Sequence, residues 1–405
     1  MDSRTNPYTP NAGAAPELVV GRTDQLESFK ILLGRLSNGR TEQSMILTGL
    51  RGVGKTVLLG EFRELALAEK WRVVEIEASK HDESSFRKRM YAELRSALFE
   101  ISPRDKWGDR AKRAASALTS FGISSQPDGG FTVSTGVSSV EGLADHGDLA
   151  MDLSDLLVAL GEAAQEHKTG LVLLVDEVQF LTKNQLEALI QAIHKTVQRR
   201  LPVTFVGAGL PQIAELAGDA KSYAERLFKF PKIDSLGESD AQLAFTKPAE
   251  VEGTYFTDEA LELAFEITRG YPYFIQELGY QVWAIGSNDC IEREDVEAAR
   301  EAYEAKLDSS FFRVRLDRAT AHQTMYMRAM AQLGPQPQKA ADVARLLGKE
   351  SNQVGPTRAE LINMGLLYTP EHGYAAFTVP DFDKFMMRAV PVLEQPPAKR
   401  SNSTS

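Results

Sequence analysis

The chain has 405 residues, too many for one hydrophobic core, so two or three domains are expected. A hydrophobic fraction of 43% and a charged fraction of 25% are ordinary for a globular protein, and a formal charge of −10 excludes a uniformly basic nucleic-acid coat while leaving room for a local basic module. Cys290 is the only cysteine, so no disulfide framework or cysteine-based zinc site can form within the chain.

Met1–Pro16 lacks the apolar core of a secretory signal, and no run approaches the roughly 18 apolar residues of a membrane helix. The expectation is a soluble cytoplasmic protein without a membrane partner. Residues 1–15, rich in Asn, Pro, Gly and Ala, read as a disordered tail, as do residues 395–405. Across 16–235, short apolar runs alternate with amphipathic segments, the mark of a parallel α/β sheet. Strands are expected at Ser44–Thr48, Arg72–Glu77, Gly170–Val175 and Pro202–Val206, with a weaker one near Phe228–Ile233. Helices are expected at Lys55–Glu69, Ser84–Phe99, Asn184–Gln198 and Pro211–Arg226. Residues 103–147 break the rhythm, and the Pro127-Asp128-Gly129 turn signal between strand-like runs predicts a hairpin insertion. Residues 236–312 read as almost wholly helical, a lid. Residues 313–394 read as three short helices (Met325–Leu333, Ala340–Leu347, Gln353–Met364) and a β-hairpin (Leu366–Thr369, Tyr374–Val379), the order of a winged helix-turn-helix.

Gly49-Leu50-Arg51-Gly52-Val53-Gly54-Lys55-Thr56 satisfies G-x-x-x-x-G-K-[ST] in full, between an apolar strand and a helix that continues through Val57. The glycines let backbone amides turn inward around phosphates at a helix N-terminus. Lys55 supplies a point charge for the β- and γ-phosphates, and Thr56 a hydroxyl for Mg²⁺. The expected ligands are therefore ATP or ADP with Mg²⁺. Downstream, Leu171–Val175 is an apolar strand running into Asp176 and Glu177. Beside a phosphate loop, Asp176 is expected to orient the metal and Glu177 to polarise the attacking water. The six histidines show no metal-ligand spacing.

Together with Val19-Val20-Gly21-Arg22 and the winged-helix pattern, these motifs resemble AAA+ ATPases of the origin-recognition and archaeal-ATPase kind, and the related STAND signalling ATPases. The resemblance spans about Pro16 to Val392. It implies a P-loop NTPase sheet with a helical lid and C-terminal winged helix, with Val20 and Gly21 lining the adenine pocket and Pro272 of Gly270-Tyr271-Pro272 touching nucleotide. A helix break is the other reading of that tripeptide. Arg226 stands where the family often places an arginine finger, usually acting in a neighbour's site; a surface arginine paired with Glu225 is the alternative. The sequence departs from the family twice. The fourth strand ends in Gly207-Ala208-Gly209 without a polar sensor, and the Gly270-Tyr271-Pro272-Tyr273-Phe274 element offers only aromatics, with Arg269 just before it not assigned as the lid sensor. Both departures point to a slow switch.

Residues 313–405 hold twelve Lys and Arg against eight Asp and Glu, a net +4, while the rest of the chain carries −14. Such asymmetry suits an acidic ATPase bearing a module for double-stranded DNA. Its third helix offers Lys349, Asn352, Gln353, Thr357 and Arg358, side chains that meet phosphates or base edges. Against this, the wing tip Glu371-His372 is not basic, and Pro356 disturbs the helix start. An autoinhibitory or protein-docking module, in a protein that forms homo-oligomers or binds a protein partner, is the alternative.

Overall fold

A computed structural model describes residues 1–79, 82–123, 137–286 and 289–393. Two compact units are present. One contains Val19–Gly49 and Gly54–Ile233; the other contains Met1–Leu18, Leu50–Val53 and the chain from Asp234 onward.

The first unit runs α1 (Thr23–Ser37), β1 (Ser44–Thr48), α2 (Lys55–Ala68), β2 (Arg72–Glu77), α3 (Glu83–Ile101), α4 (Asp109–Ile123), α5 (Leu149–Glu166), β3 (Leu171–Asp176), α6 (Lys183–Gln198), β4 (Val203–Gly209), α7 (Ile213–Ala220), α8 (Ala224–Leu227) and β5 (Phe228–Lys229). The five strands are parallel, in the order β2-β3-β4-β1-β5. This is the P-loop NTPase sheet expected from the sequence. β1 and β4 are buried along their whole length, as strands must be when both sheet faces are covered. Register does the positioning: Thr48 pairs with Gly209, Val175 with Gly207, and Glu77 with Asp176. The carboxyl ends of β1, β3 and β4 therefore lie level, at the edge where open α/β sheets bind ligands.

Several expectations need correcting. The helix expected over 211–226 is two, α7 and α8, and the fifth strand shortens to Phe228–Lys229 with one further bridge between Thr48 and Lys232. The insertion at 103–147 is helical over Asp109–Ile123; its Pro127-Asp128-Gly129 turn lies outside the described residues. α4 carries Ala111, Ala114, Ala115 and Ala117, all buried, and alanine is the strongest helix former. A buried ion pair, Arg87 Nη1 to Asp152 Oδ2 at 2.9 Å, joins α3 to α5. Asp152 also accepts the His146 N–H at 2.7 Å, and the Arg87 guanidinium lies 5.2 Å from the Phe121 ring of α4.

The second unit continues with α9 (Glu238–Val251), β6 (Tyr255–Phe256), α10 (Asp258–Thr268), α11 (Pro272–Ile285), β7 (Cys290–Ile291) and α12 (Arg293–Lys306), then a π-helical turn at Leu307–Phe312 and α13 (Arg313–Leu316). Beyond it come α14 (Ala321–Leu333), β8 (Gln338–Lys339), α15 (Ala340–Leu346), α16 (Ser351–Asn363), β9 (Leu367–Tyr368), β10 (Tyr374–Phe377) and α17 (Phe382–Ala389). β8, β10 and β9 form an antiparallel sheet. Helix α16 starts at Ser351 rather than at Gln353: Glu350 caps it with Gln353, so Pro356 falls beyond the first turn. Tyr271, Phe274 and Trp283 are buried core, whereas Tyr280 is exposed.

Residues 1–15, expected as a loose tail, are instead anchored within this unit. Tyr8 is buried, and its hydroxyl donates to the Phe245 carbonyl at 2.5 Å. The Trp283 indole N–H donates to the Asp2 carbonyl at 3.0 Å. One large aromatic side chain outweighs a polar, proline-rich composition. Among the described residues, no helix is long and apolar enough to cross a membrane.

Tyr8→Ala is expected to destabilise the helical unit by about 3 kcal/mol, as a buried aromatic truncated to alanine does. Tyr8→Phe removes one hydrogen bond and should cost about 1 kcal/mol. Thermal unfolding of both variants checks this, and an unchanged midpoint for Tyr8→Ala would show that the segment is not anchored.

Candidate functional site

The loop between β1 and α2 is built for close backbone approach. Gly54, the N-cap of α2, takes φ 90°, and Gly52 takes φ 86°, values that side chains resist. Gly49 donates its N–H to the Gly209 carbonyl at 3.1 Å, tying the start of the loop to the end of β4. Lys55 is 9% exposed, and its ammonium donates to the Gly49 carbonyl at 3.0 Å. The charge is thereby folded back over the loop it opens from.

Across the sheet edge, the Thr56 hydroxyl donates to Asp176 Oδ2 at 2.6 Å. Asp176 Oδ1 accepts the Glu177 N–H at 2.7 Å. Burial raises the Asp176 pKa above the usual carboxylate range, against the lowering pull of the Thr56 and Glu177 hydrogen bonds. A desolvated carboxylate held against a hydroxyl is the oxygen pair that a hard cation such as Mg²⁺ takes, with phosphate and water oxygens completing its shell. Among the described residues no group of three His, Cys, Asp or Glu is placed to hold a metal. Glu177 sits in the left-handed region at φ 53°, a conformation costly for a non-glycine residue and often found at functional sites. The sequence-predicted Lys55, Thr56, Asp176 and Glu177 thus belong to one sheet edge.

The other expected residues are placed as follows. Val20 is half-buried and Gly21 exposed, ahead of α1, with Val57 on the first turn of α2. Pro272 opens α11 in its first turn. Arg226 is exposed and has no ion pair among the described residues, with Glu225 or any other acid; its carbonyl accepts the Gln43 side chain at 3.0 Å. At the start of α16, Lys349, Asn352 and Gln353 are exposed and Thr357 half-buried. Gln353 Oε1 accepts the Glu350 N–H at 2.9 Å. The Arg358 guanidinium donates to the Tyr374 carbonyl at 2.6 Å and the Thr369 hydroxyl at 3.3 Å, so it braces the hairpin rather than facing outward.

Two features had no signal in the sequence reading. Residues Leu50–Val53 pack within the second unit. There Tyr271 donates its hydroxyl to the Arg51 carbonyl, Tyr273 its N–H to the Gly52 carbonyl at 3.2 Å, and Arg51 its N–H to the Thr378 carbonyl at 3.1 Å. A Cβ on Gly52 would come within 3.2 Å of both tyrosines. Beside them Arg315 stacks on Phe311, its guanidinium carbon 4.1 Å from the ring centroid. Burial, and then the neighbouring Arg51 charge, lower its pKa to about 10. The second is Gln179, two residues after Glu177, whose amide donates to the Glu177 carboxylate and accepts the Leu210 N–H at 3.1 Å.

Comparison with known proteins agrees with this arrangement. Residues 18–206 match the family model of an AAA ATPase domain, and residues 309–386 match a family described as a domain of unknown function. No curated protein matches the sequence. Among solved structures, a Walker-type ATPase of Pyrococcus abyssi is 15% identical with a TM-score of 0.56, over 92% of this chain and 97% of that one. The Orc1 protein of Aeropyrum pernix, solved in complex with DNA, is 15% identical with a TM-score of 0.45, over 92% of this chain and 94% of that one. The Cdc6 protein of Pyrobaculum aerophilum is 15% identical with a TM-score of 0.46, over 96% of this chain and 97% of that one. At such identities the likeness is one of fold, and of these three the first superposes well enough to carry it.

Because the Asp176 carboxylate is desolvated, Asp176→Asn is expected to raise the melting temperature of the nucleotide-free protein. The same change should erase any further rise on adding Mg²⁺ with ADP. Melting curves with and without the ligand check both halves, and a lowered nucleotide-free midpoint would count against a charge-burial cost at this position.

Proposed function

We propose that this chain, whose residues 18–206 match an AAA ATPase domain, is a nucleotide-dependent switch that binds ATP or ADP with Mg²⁺ and hydrolyses ATP slowly. The observation that carries the reading is the 2.6 Å contact between Thr56 and Asp176 across the ends of β1 and β3, with Lys55 folded over the glycine loop. In this reading the amides of Gly49 to Thr56 cradle phosphates, Lys55 neutralises them, and Thr56 and Asp176 hold the cation between them. Bound Mg²⁺ supplies charge neutralisation on the phosphates. Glu177 accepts the proton of the attacking water. Val20 and Gly21 face the base. Arg226, exposed and unpaired among the described residues, is available to a second copy as an arginine finger. The lone cysteine, Cys290, is exposed, which agrees with a reducing, cytoplasmic location.

The C-terminal module, read as a winged helix, is proposed to bind double-stranded DNA. The net charge of +4 over residues 313–405, against −14 for the rest of the chain, and the exposed Lys349, Asn352 and Gln353 at the start of α16 support this. With Arg358 bonded to Tyr374 and Thr369, the contacting set is Lys349, Asn352, Gln353 and Thr357. A second reading rests on one contact, the Arg51 N–H on the Thr378 carbonyl. There the C-terminal module holds the tip of the phosphate loop, and the nucleotide state decides whether it lets go, in the manner of a signalling ATPase.

Lys55→Ala is expected to abolish stabilisation by ATP in a thermal melt. Glu177→Gln should keep nucleotide binding and lose turnover by about 100-fold; equal turnover would remove the base assignment. For DNA, fluorescence anisotropy of a labelled duplex with the full chain should give an affinity that falls as salt rises. Absence of binding at low salt would favour the second reading.

A further inference from the structure

The fourth strand ends in Gly207-Ala208-Gly209, with no polar side chain to meet the reacting groups. Thr204, the nearest hydroxyl on that strand, lies 3.0 Å from the Ser44 hydroxyl. The space at the strand end is filled from the neighbouring strand. After Glu177, Val178–Phe180 forms a 3₁₀ turn that carries Val178 and Gln179 onto the end of β4. A Cβ at Gly207 would lie 2.9 Å from Val178 Cγ2, and one at Gly209 would lie 2.8 Å from Gln179 Oε1. The two glycines are therefore what admits the turn, and their lack of side chains is complementary to Gln179.

The geometry points to Gln179 as the positioning residue for Glu177, taking the place of a polar side chain on the strand itself. Its side chain is a two-ended strut. Oε1 accepts the Leu210 N–H at 3.1 Å, fixing the amide to the end of β4, and Nε2 donates to Glu177 Oε2. Because an amide has one accepting and one donating end, fixing the first orients the second. Glu177, held in a left-handed backbone at φ 53°, then has one carboxylate oxygen tied through Gln179 to the end of β4. A movement at the end of β4 would reach the carboxylate through a single side chain. This rests on the reading of Glu177 as the group that accepts the water's proton, and on nothing in the C-terminal module.

The test uses single-turnover and steady-state ATP hydrolysis by the full chain. Gln179→Glu keeps the shape and the accepting oxygen but removes the donor; Gln179→Leu removes both. Both variants are expected to lose on the order of 10-fold or more in kcat, as misplacement of a reacting group does, with KM and the Kd for Mg·ADP within about twofold of the parent. Gly209→Ala should mimic them by pushing Gln179 off the strand, and combined with Gln179→Leu it should add nothing. Unchanged kcat in Gln179→Glu would overturn the assignment and reduce Gln179 to packing, provided Glu177→Gln is inactive in the same assay. Full turnover in Glu177→Gln would instead overturn the role of Glu177, so the two failures read differently. A fully additive double variant would show that Gly209 acts apart from Gln179 and would also overturn the proposal.

Discussion

Everything at this site depends on the parallel register of three strands. With Thr48 opposite Gly209 and Val175 opposite Gly207, the chain leaves β1, β3 and β4 at one level, and three chemically different turns meet there. β1 gives way to a glycine loop, β3 to a pair of carboxylates, and β4 to two glycines that leave room for its neighbour. A slip of one residue in β3 would turn Asp176 to the other face of the sheet and part it from the Thr56 hydroxyl. The strands are largely apolar and almost wholly buried, and that burial fixes the register.

The polar groups at the edge are unfavourable by themselves. Asp176 is desolvated enough for its pKa to rise, Glu177 occupies a strained backbone, and Lys55 is nearly buried, its ammonium donating to the Gly49 carbonyl. In the proposed function a nucleotide and its cation bring charges opposite to these groups, so binding and local stability would be linked. In the second unit Arg315 is half-buried against Phe311, with Arg51 a like-charged neighbour.

The sequence disclosed the site where the chemistry is local. Gly49 to Thr56 is contiguous and its role follows from residue type, and Asp176-Glu177 announces itself by ending an apolar run. The sheet and the helices of residues 236–312 were legible from periodicity. Gln179 was not, because its meaning lies in Gly209 and Leu210, some thirty residues further on and on another strand. Arg358 has the residue type of a base reader, yet its guanidinium is spent on Tyr374 and Thr369, which no spacing rule conveys. Helix α4 was hidden by the Pro-Asp-Gly signal beyond it, although its alanines favour a helix. Tyr8 anchors a segment whose average composition says tail, since one buried ring outweighs several polar neighbours.

The claim on which the account stands is that the loop and Asp176 together hold a metal–nucleotide complex. Calorimetric titration of the full chain with ADP, in Mg²⁺ and then in EDTA, addresses it most directly. The account predicts one saturable site in Mg²⁺ and clearly weaker binding in EDTA. An absence of binding heat in both, or equal affinity with and without the metal, would contradict it.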